Sequence, residues 1–318
     1  MLDAINSIAE SALDTVGSHV VKLLGNTPPT AWEALGNNWT LLTKTLQSAA
    51  VPYVGAAGAD AFVHTLTVQA TFHTFFWPTY TLFRYVDRNN LMPQYKLHPD
   101  KWAPTDLNER VWAGLLNPTT RTLGIGRMVG AFFVFFYKRQ SITEFPSFTT
   151  LVKNQVLAYL LNDFFFYVQH RALHEVPSFY KKYHKQHHEF KVTNVGATSW
   201  NNWEESFGIM LSAMLTGMTL FEYLVWTVQN IFMDLQIHSG YVVPLNPYNV
   251  INHPEFHDYH HYKNVGNYAA YTPFWDWLFG TDKKYKEWKR QQAALGEKAA
   301  DDGPTLEEPF EAGFGKST

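Results

Sequence analysis

The chain has 318 residues, with 25 Lys and Arg against 28 Asp and Glu, and no cysteine. A net charge of −3 supplies no basic footprint for nucleic acid, and the lack of thiols excludes disulfides, iron–sulfur clusters, heme-thiolate and cysteine zinc sites. Aromatic residues at 16% and charged residues at 17%, against about 25% charged in soluble proteins, point towards lipid, although the mean hydropathy is negative.

The first 55 residues read as peripheral amphipathic helix: Leu2, Ile5, Ile8, Leu13, Val16, Val20 and Leu23 recur at near-helical spacing and stop at Gly25-Asn26. Their acidic and polar content does not fit a cleavable signal peptide. Residues 61–83 contain no Asp, Glu, Lys or Arg and are long enough to cross a bilayer about 30 Å thick, with His64, His73 and Pro78 interrupting. Residues 91–108, with Pro93, Pro99 and Pro104, read as a loop in which His98 has no metal role. Shorter apolar stretches follow at 128–137 and 156–168. A long one at 206–233, broken only by Glu222, suits one tilted span or a helical hairpin. Residues 56–285 are thus expected to form one membrane-embedded domain, and residues 286–318 a charged, disordered tail. The alternative is a soluble all-α protein with these stretches as buried helices.

Ten of the 14 histidines fall between His170 and His261. Eight form three clusters: His170 and His174; His184, His187 and His188; His257, His260 and His261. A helix brings residues i, i+3 and i+4 to one face, so each cluster can aim its ring nitrogens at a common point. Eight or more imidazoles exceed the four ligands of a structural zinc, and two ions fit the count better than one. Ligand type alone does not choose between iron, zinc and copper. Lys and Arg near the clusters, among them Arg171, Lys181, Lys182, Lys185 and Lys191, predict a cytosolic face. The expected fold is therefore all-α, an integral-membrane helical bundle with a cytosolic helical cap over a histidine-rich dimetal site.

These boxes, His-Arg-Ala-Leu-His at 170–174, His-Lys-Gln-His-His at 184–188 and His-Asp-Tyr-His-His at 257–261, resemble the fatty acid hydroxylase/sterol desaturase superfamily of membrane non-heme di-iron oxygenases. His238-Ser-Gly-Tyr241 is similar to the family's His-x-Gly-Tyr element. Gly266-Asn-Tyr and Trp275-Asp-Trp-Leu-Phe-Gly-Thr-Asp look like the end of C-4 methylsterol oxidases. The resemblance implies two iron ions and dioxygen, with hydroxylation or C-4 methyl oxidation of a sterol or related lipid, or another lipid hydroxylation or desaturation. It also implies an external donor such as cytochrome b5 with its reductase, and a multi-pass endoplasmic reticulum protein. The implied ligands are the eight clustered histidines and His238. His253, four residues before His257, shares its helical face but precedes Pro254. Where methylsterol oxidases carry a His-Pro element, this chain has Asn201-Asn202, which either lies near metal or caps a helix starting near Trp203. Cholesterol 25-hydroxylase is similar here in lacking that histidine. Asp163, Asp234, Glu205 and Asp258 are candidates to accept an imidazole N–H. A membrane zinc hydrolase and a non-catalytic metal-binding membrane protein are the competing classes; activity without dioxygen or reductant distinguishes the first, absence of turnover the second.

Overall fold

In the computed structural model, the described residues are 29–201, 206–244, 246, 248–251 and 254–302. The predicted amphipathic helix before residue 29 lies outside them. Nine α-helices of six or more residues carry the described fold: α1 Pro29–Arg88, α2 Thr105–Leu116, α3 Pro118–Ala131, α4 Phe148–Glu175, α5 Phe207–Thr216, α6 Leu220–Ile237, α7 Pro254–Lys263, α8 Phe274–Phe279 and α9 Lys283–Asp302. Among the described residues there is no strand, only an antiparallel bridge between Lys96 and Tyr241.

α1 is two helices joined at Gly55, whose φ of 70° and ψ of 174° break the backbone hydrogen-bond ladder just after Pro52. The arm before this break packs onto the same body as the rest. Trp32 packs tilted against Phe145 at 4.7 Å and edge-on against Phe148 at 5.6 Å and donates to Pro146 O at 3.0 Å; Trp39 meets Phe221 at 5.4 Å. After the break, α1 lies along α6, while α4 lies along α5.

The long apolar stretch at 206–233 resolves into the hairpin alternative. Gly217, left-handed at φ 65°, ends α5, and Thr219 opens α6 with a capping box: its backbone N–H donates to Glu222 at 2.8 Å and its hydroxyl accepts from the Glu222 N–H. Among the described residues no helix is long and apolar enough to cross a membrane. The sequence reason is plain: α5 has only 10 residues, α6 carries Glu222, Asn230 and Asp234, and 61–83 is diluted by Thr, Gln and His. The expected tail is corrected in part, because the charged segment continues as α9 to Asp302; residues 303–318 are outside the described set.

Candidate metal centre

Four separate elements deliver imidazoles to one place. α4 carries His170 and His174 one turn apart in its last two turns, α7 carries His257, His260 and His261, and His238 is the C-terminal cap of α6. The second box departs from the helical expectation: His184 ends a π turn (Tyr180–His184), and His187 and His188 start a 3₁₀ turn (His187–Glu189). Nor does each box form one ligand set. His170, His174, His184, His188 and His260 have ring nitrogens within 4.8 Å of one another, and His187, His238, His257 and His261 form a second such group. Boxes two and three are each split between the groups, with i and i+4 together (184 with 188, 257 with 261) and the residue at i+3 assigned across (187 and 260).

Backbone carbonyls aim the rings. His170 Nδ1 donates to Tyr268 O at 2.6 Å, His260 Nδ1 to Gly266 O at 2.6 Å and His261 Nδ1 to Phe190 O at 3.0 Å. Each donation fixes the proton on Nδ1 and leaves a lone pair on Nε2. In the first group the Nε2 atoms run His170 to His184 at 2.9 Å, His184 to His188 at 3.0 Å and His188 to His260 at 3.1 Å. These contacts cannot all be hydrogen bonds: His170 and His260 are acceptors, so His184 and His188 must both donate outward, and their mutual contact then sets proton against proton. A shared cation removes the conflict. With metal–nitrogen bonds of about 2.1 Å, cis ligands lie about 3.0 Å apart at 90° and about 3.4 Å apart at a tetrahedral angle. The second group fits equally, with His238 Nε2 at 3.3 Å from His187 and 2.9 Å from His257, and His261 Nε2 buried without a partner.

Burial keeps these rings neutral, the form that binds metal. It lowers His170 to about 4 and holds His174, His184, His187, His188, His257, His260 and His261 well below the ordinary histidine value, with neighbouring imidazoles adding to the effect. The two groups could each bind a metal ion.

A family profile described as fatty acid hydroxylase matches residues 155–281. A very-long-chain aldehyde decarbonylase of Oryza sativa subsp. indica is 34% identical over 214 residues, which cover 64% of this chain and 79% of that protein. The chain belongs to the fatty acid hydroxylase family. Methylsterol monooxygenase 2-2 of Arabidopsis thaliana is 29% identical over 65% of this chain and 81% of its own length. A cholesterol 25-hydroxylase-like protein of Danio rerio is 32% identical over 44% and 59% respectively. No solved structure matches the chain significantly.

The remaining candidates divide. Asp234 accepts from His238 Nδ1, with its carbonyl at 2.9 Å and its carboxylate at 3.0 Å. Asp258 meets no box imidazole: it takes the Thr193 hydroxyl at 2.6 Å and His98 Nε2 at 2.6 Å. Through this contact His98, read from the sequence as a loop residue with no metal role, ties residues 93–101 to α7. Asp163, expected as an acceptor for an imidazole, accepts instead from the Thr272 N–H at 2.9 Å and hydroxyl at 2.5 Å. Asn201 is exposed, donates to Thr198 O at 3.1 Å and lines the same cavity as His170, His187, His238 and His257. Asn202, Glu205 and His253 lie outside the described residues.

The sequence reading of this fatty acid hydroxylase family member passed over Asp276. Buried in α8, its carboxylate accepts from Tyr268 N at 2.9 Å, Ala269 N at 2.8 Å and Thr281 Oγ1 at 2.5 Å. It thus holds the loop whose carbonyls orient His170 and His260, and burial raises its pKa. Its place in the quoted Trp-Asp-Trp string was the available signal. Gly240, in the His-Ser-Gly-Tyr element, has φ 75°, and a Cβ there would meet Thr193 O at 2.4 Å, so this crossing beside His238 requires glycine.

Proposed function

We propose that this chain is a membrane-embedded oxidoreductase that oxidises an unactivated C–H bond of a sterol or related lipid with dioxygen, using two iron ions held by the nine imidazoles. One observation carries the reading. A cavity of about 380 Å³ is bounded by His170 of the first group, His187, His238 and His257 of the second, and side chains such as Phe72, Met210 and Ile231. That size lies within the about 300–1,000 Å³ of small-ligand sites, and a substrate in it would lie against both groups. The reaction balances as C–H plus O2 plus two electrons and two protons, giving C–OH and water. Bound iron would supply the redox centre for that exchange. The chain's residues do the rest: the carbonyl-anchored Nδ1 atoms keep the rings in place, and the apolar walls exclude water and orient the lipid. The electrons would come from a one-electron carrier such as cytochrome b5 and its reductase.

Exposed apolar residues support a lipid setting, as does the family resemblance. Leu82, Val134 and Leu160 are exposed, and α8 presents Phe274, Trp277, Leu278 and Phe279 together. With Lys181, Lys182 and Lys185 close to the second box, we place the metal face in the cytosol, at the endoplasmic reticulum membrane. The identity with the rice decarbonylase favours a second reading, a very-long-chain aldehyde as substrate. Sterol and aldehyde profiling by mass spectrometry, in cells with and without the gene, separates the two. Iron-loaded protein should form an oxidised sterol only with dioxygen and reductant present. Turnover with zinc, without either, would contradict the proposal.

A further inference from the structure

We infer that the end of the cavity remote from the histidines is a polar anchor, built from His64 and Tyr223, for a hydroxyl at the far end of an extended lipid. This rests on the oxidative reading above and narrows it: the carbon oxidised is distant from the substrate's hydroxyl and not beside it.

One face of α6 lines the cavity from Tyr223 through Thr227, Ile231 and Asp234 to His238. Fifteen residues at about 1.5 Å each put about 22 Å between the Tyr223 level and the His238 cap. The cavity wall is mostly apolar, with Arg127, Asn201, Ser206, Thr227 and Asn230 as further polar lining residues, and its far level carries a buried imidazole beside a tyrosine. His64 lies there, buried, with its ring 4.9 Å from Phe132, 5.3 Å from Phe136 and stacked on Tyr223 at 5.5 Å. The π turn Phe132–Phe136, a form frequent at functional sites, supplies two of these rings.

His64 Nδ1 is paired with Gln140 Oε1 at 2.9 Å, so Nε2 is the nitrogen left for the cavity that His64 lines. With Gln140 as acceptor, Nδ1 donates and Nε2 accepts; a turned Gln140 amide reverses both roles, and a hydroxyl can answer either. The Tyr223 side chain lines the same end, and among the described residues its hydroxyl has no hydrogen-bond partner. Gln140, itself nine-tenths buried, has its Nε2 without a partner too. Two polar groups with unused capacity, His64 and Tyr223, at one apolar cavity end, with the buried Gln140 behind His64, call for a ligand that hydrogen-bonds. A hydrocarbon tail placed there would leave both unpaired. A substrate oxidised next to its own hydroxyl would do just that, since its hydroxyl would lie with the reacting carbon at the histidine end.

The test uses the iron-loaded full chain in detergent, as wild type, His64→Phe and Tyr223→Phe. Each is titrated with two probe pairs, cholesterol against 5-cholestene and 1-octadecanol against octadecane, while metal content is measured in parallel. Wild type should bind the hydroxylated member of at least one pair about tenfold more tightly. His64→Phe should abolish that preference and Tyr223→Phe, which removes only an oxygen, should reduce it, both keeping their metal. In turnover, mass spectrometry should find the new oxygen at the end away from the existing hydroxyl. The inference is overturned by a wild type without hydroxyl preference, by a preference unchanged in both variants, or by oxidation at the carbon beside the hydroxyl. Failure of the oxidative reading would look different: no product dependent on dioxygen and reductant, whatever the binding preference.

Discussion

His170 and His260 direct their metal-facing nitrogens through loop carbonyls, and those carbonyls stand where Asp276 holds them. Asp276→Asn turns a two-oxygen acceptor into one with an N–H facing a backbone N–H. Metal affinity should fall by about tenfold or more, in line with other partners of metal-bound histidine, as read by competition with a chelator. His98→Ala breaks the pair with Asp258 and should lower stability by about 1–3 kcal/mol, seen in thermal unfolding, with the metal count unchanged. Acid should act on the metal-free chain through the box rings. Their folded pKa values lie below the unfolded value of 6.5, so the unfolded state binds more protons in that interval. Stability is then full above pH 6.5 and is lost as pH falls towards 4 and below; a melting temperature rising on acidification would contradict this. The imidazoles themselves were legible in the sequence because their chemistry is in the residue type. Asp276 was not, because its partners are backbone groups of a loop that reaches it only in the fold.

At the scale of elements, helical spacing described the first and third boxes, which lie on α4 and α7, but misdescribed the second. There a π turn and a 3₁₀ turn replace a regular helix, a change that shifts the register of side chains without leaving a mark in residue spacing. The split of boxes two and three between two ligand groups follows from how three elements cross, which no single segment encodes. The hairpin within 206–233 was legible as an alternative, with Gly217 and the Thr219–Glu222 capping box as its signals. Gly240→Ala is the sharpest test of these crossings. With a left-handed φ and Thr193 O in the way, alanine should cost more than about 1 kcal/mol and loosen the neighbouring His238. Thermal unfolding and metal titration of this variant check both effects.

For the whole molecule, the all-helical fold was legible in the apolar periodicity, and convergence of the boxes in their number. The extent of membrane crossing was not, because apolar length alone ignores polar residues that turn inward, such as His64, Asn162 and Glu222. The gathering of nine imidazoles, eight of them buried, in two groups at the end of an apolar cavity is the molecular basis of the proposed activity, and the number of ions is its most exposed consequence. Metal analysis of chain expressed with iron and purified in mild detergent tests it directly. The account predicts close to two ions per chain, falling towards one when His261→Ala and His257→Ala together dismantle the second group. A fully occupied preparation with one ion per chain, unchanged by that double substitution, would contradict it.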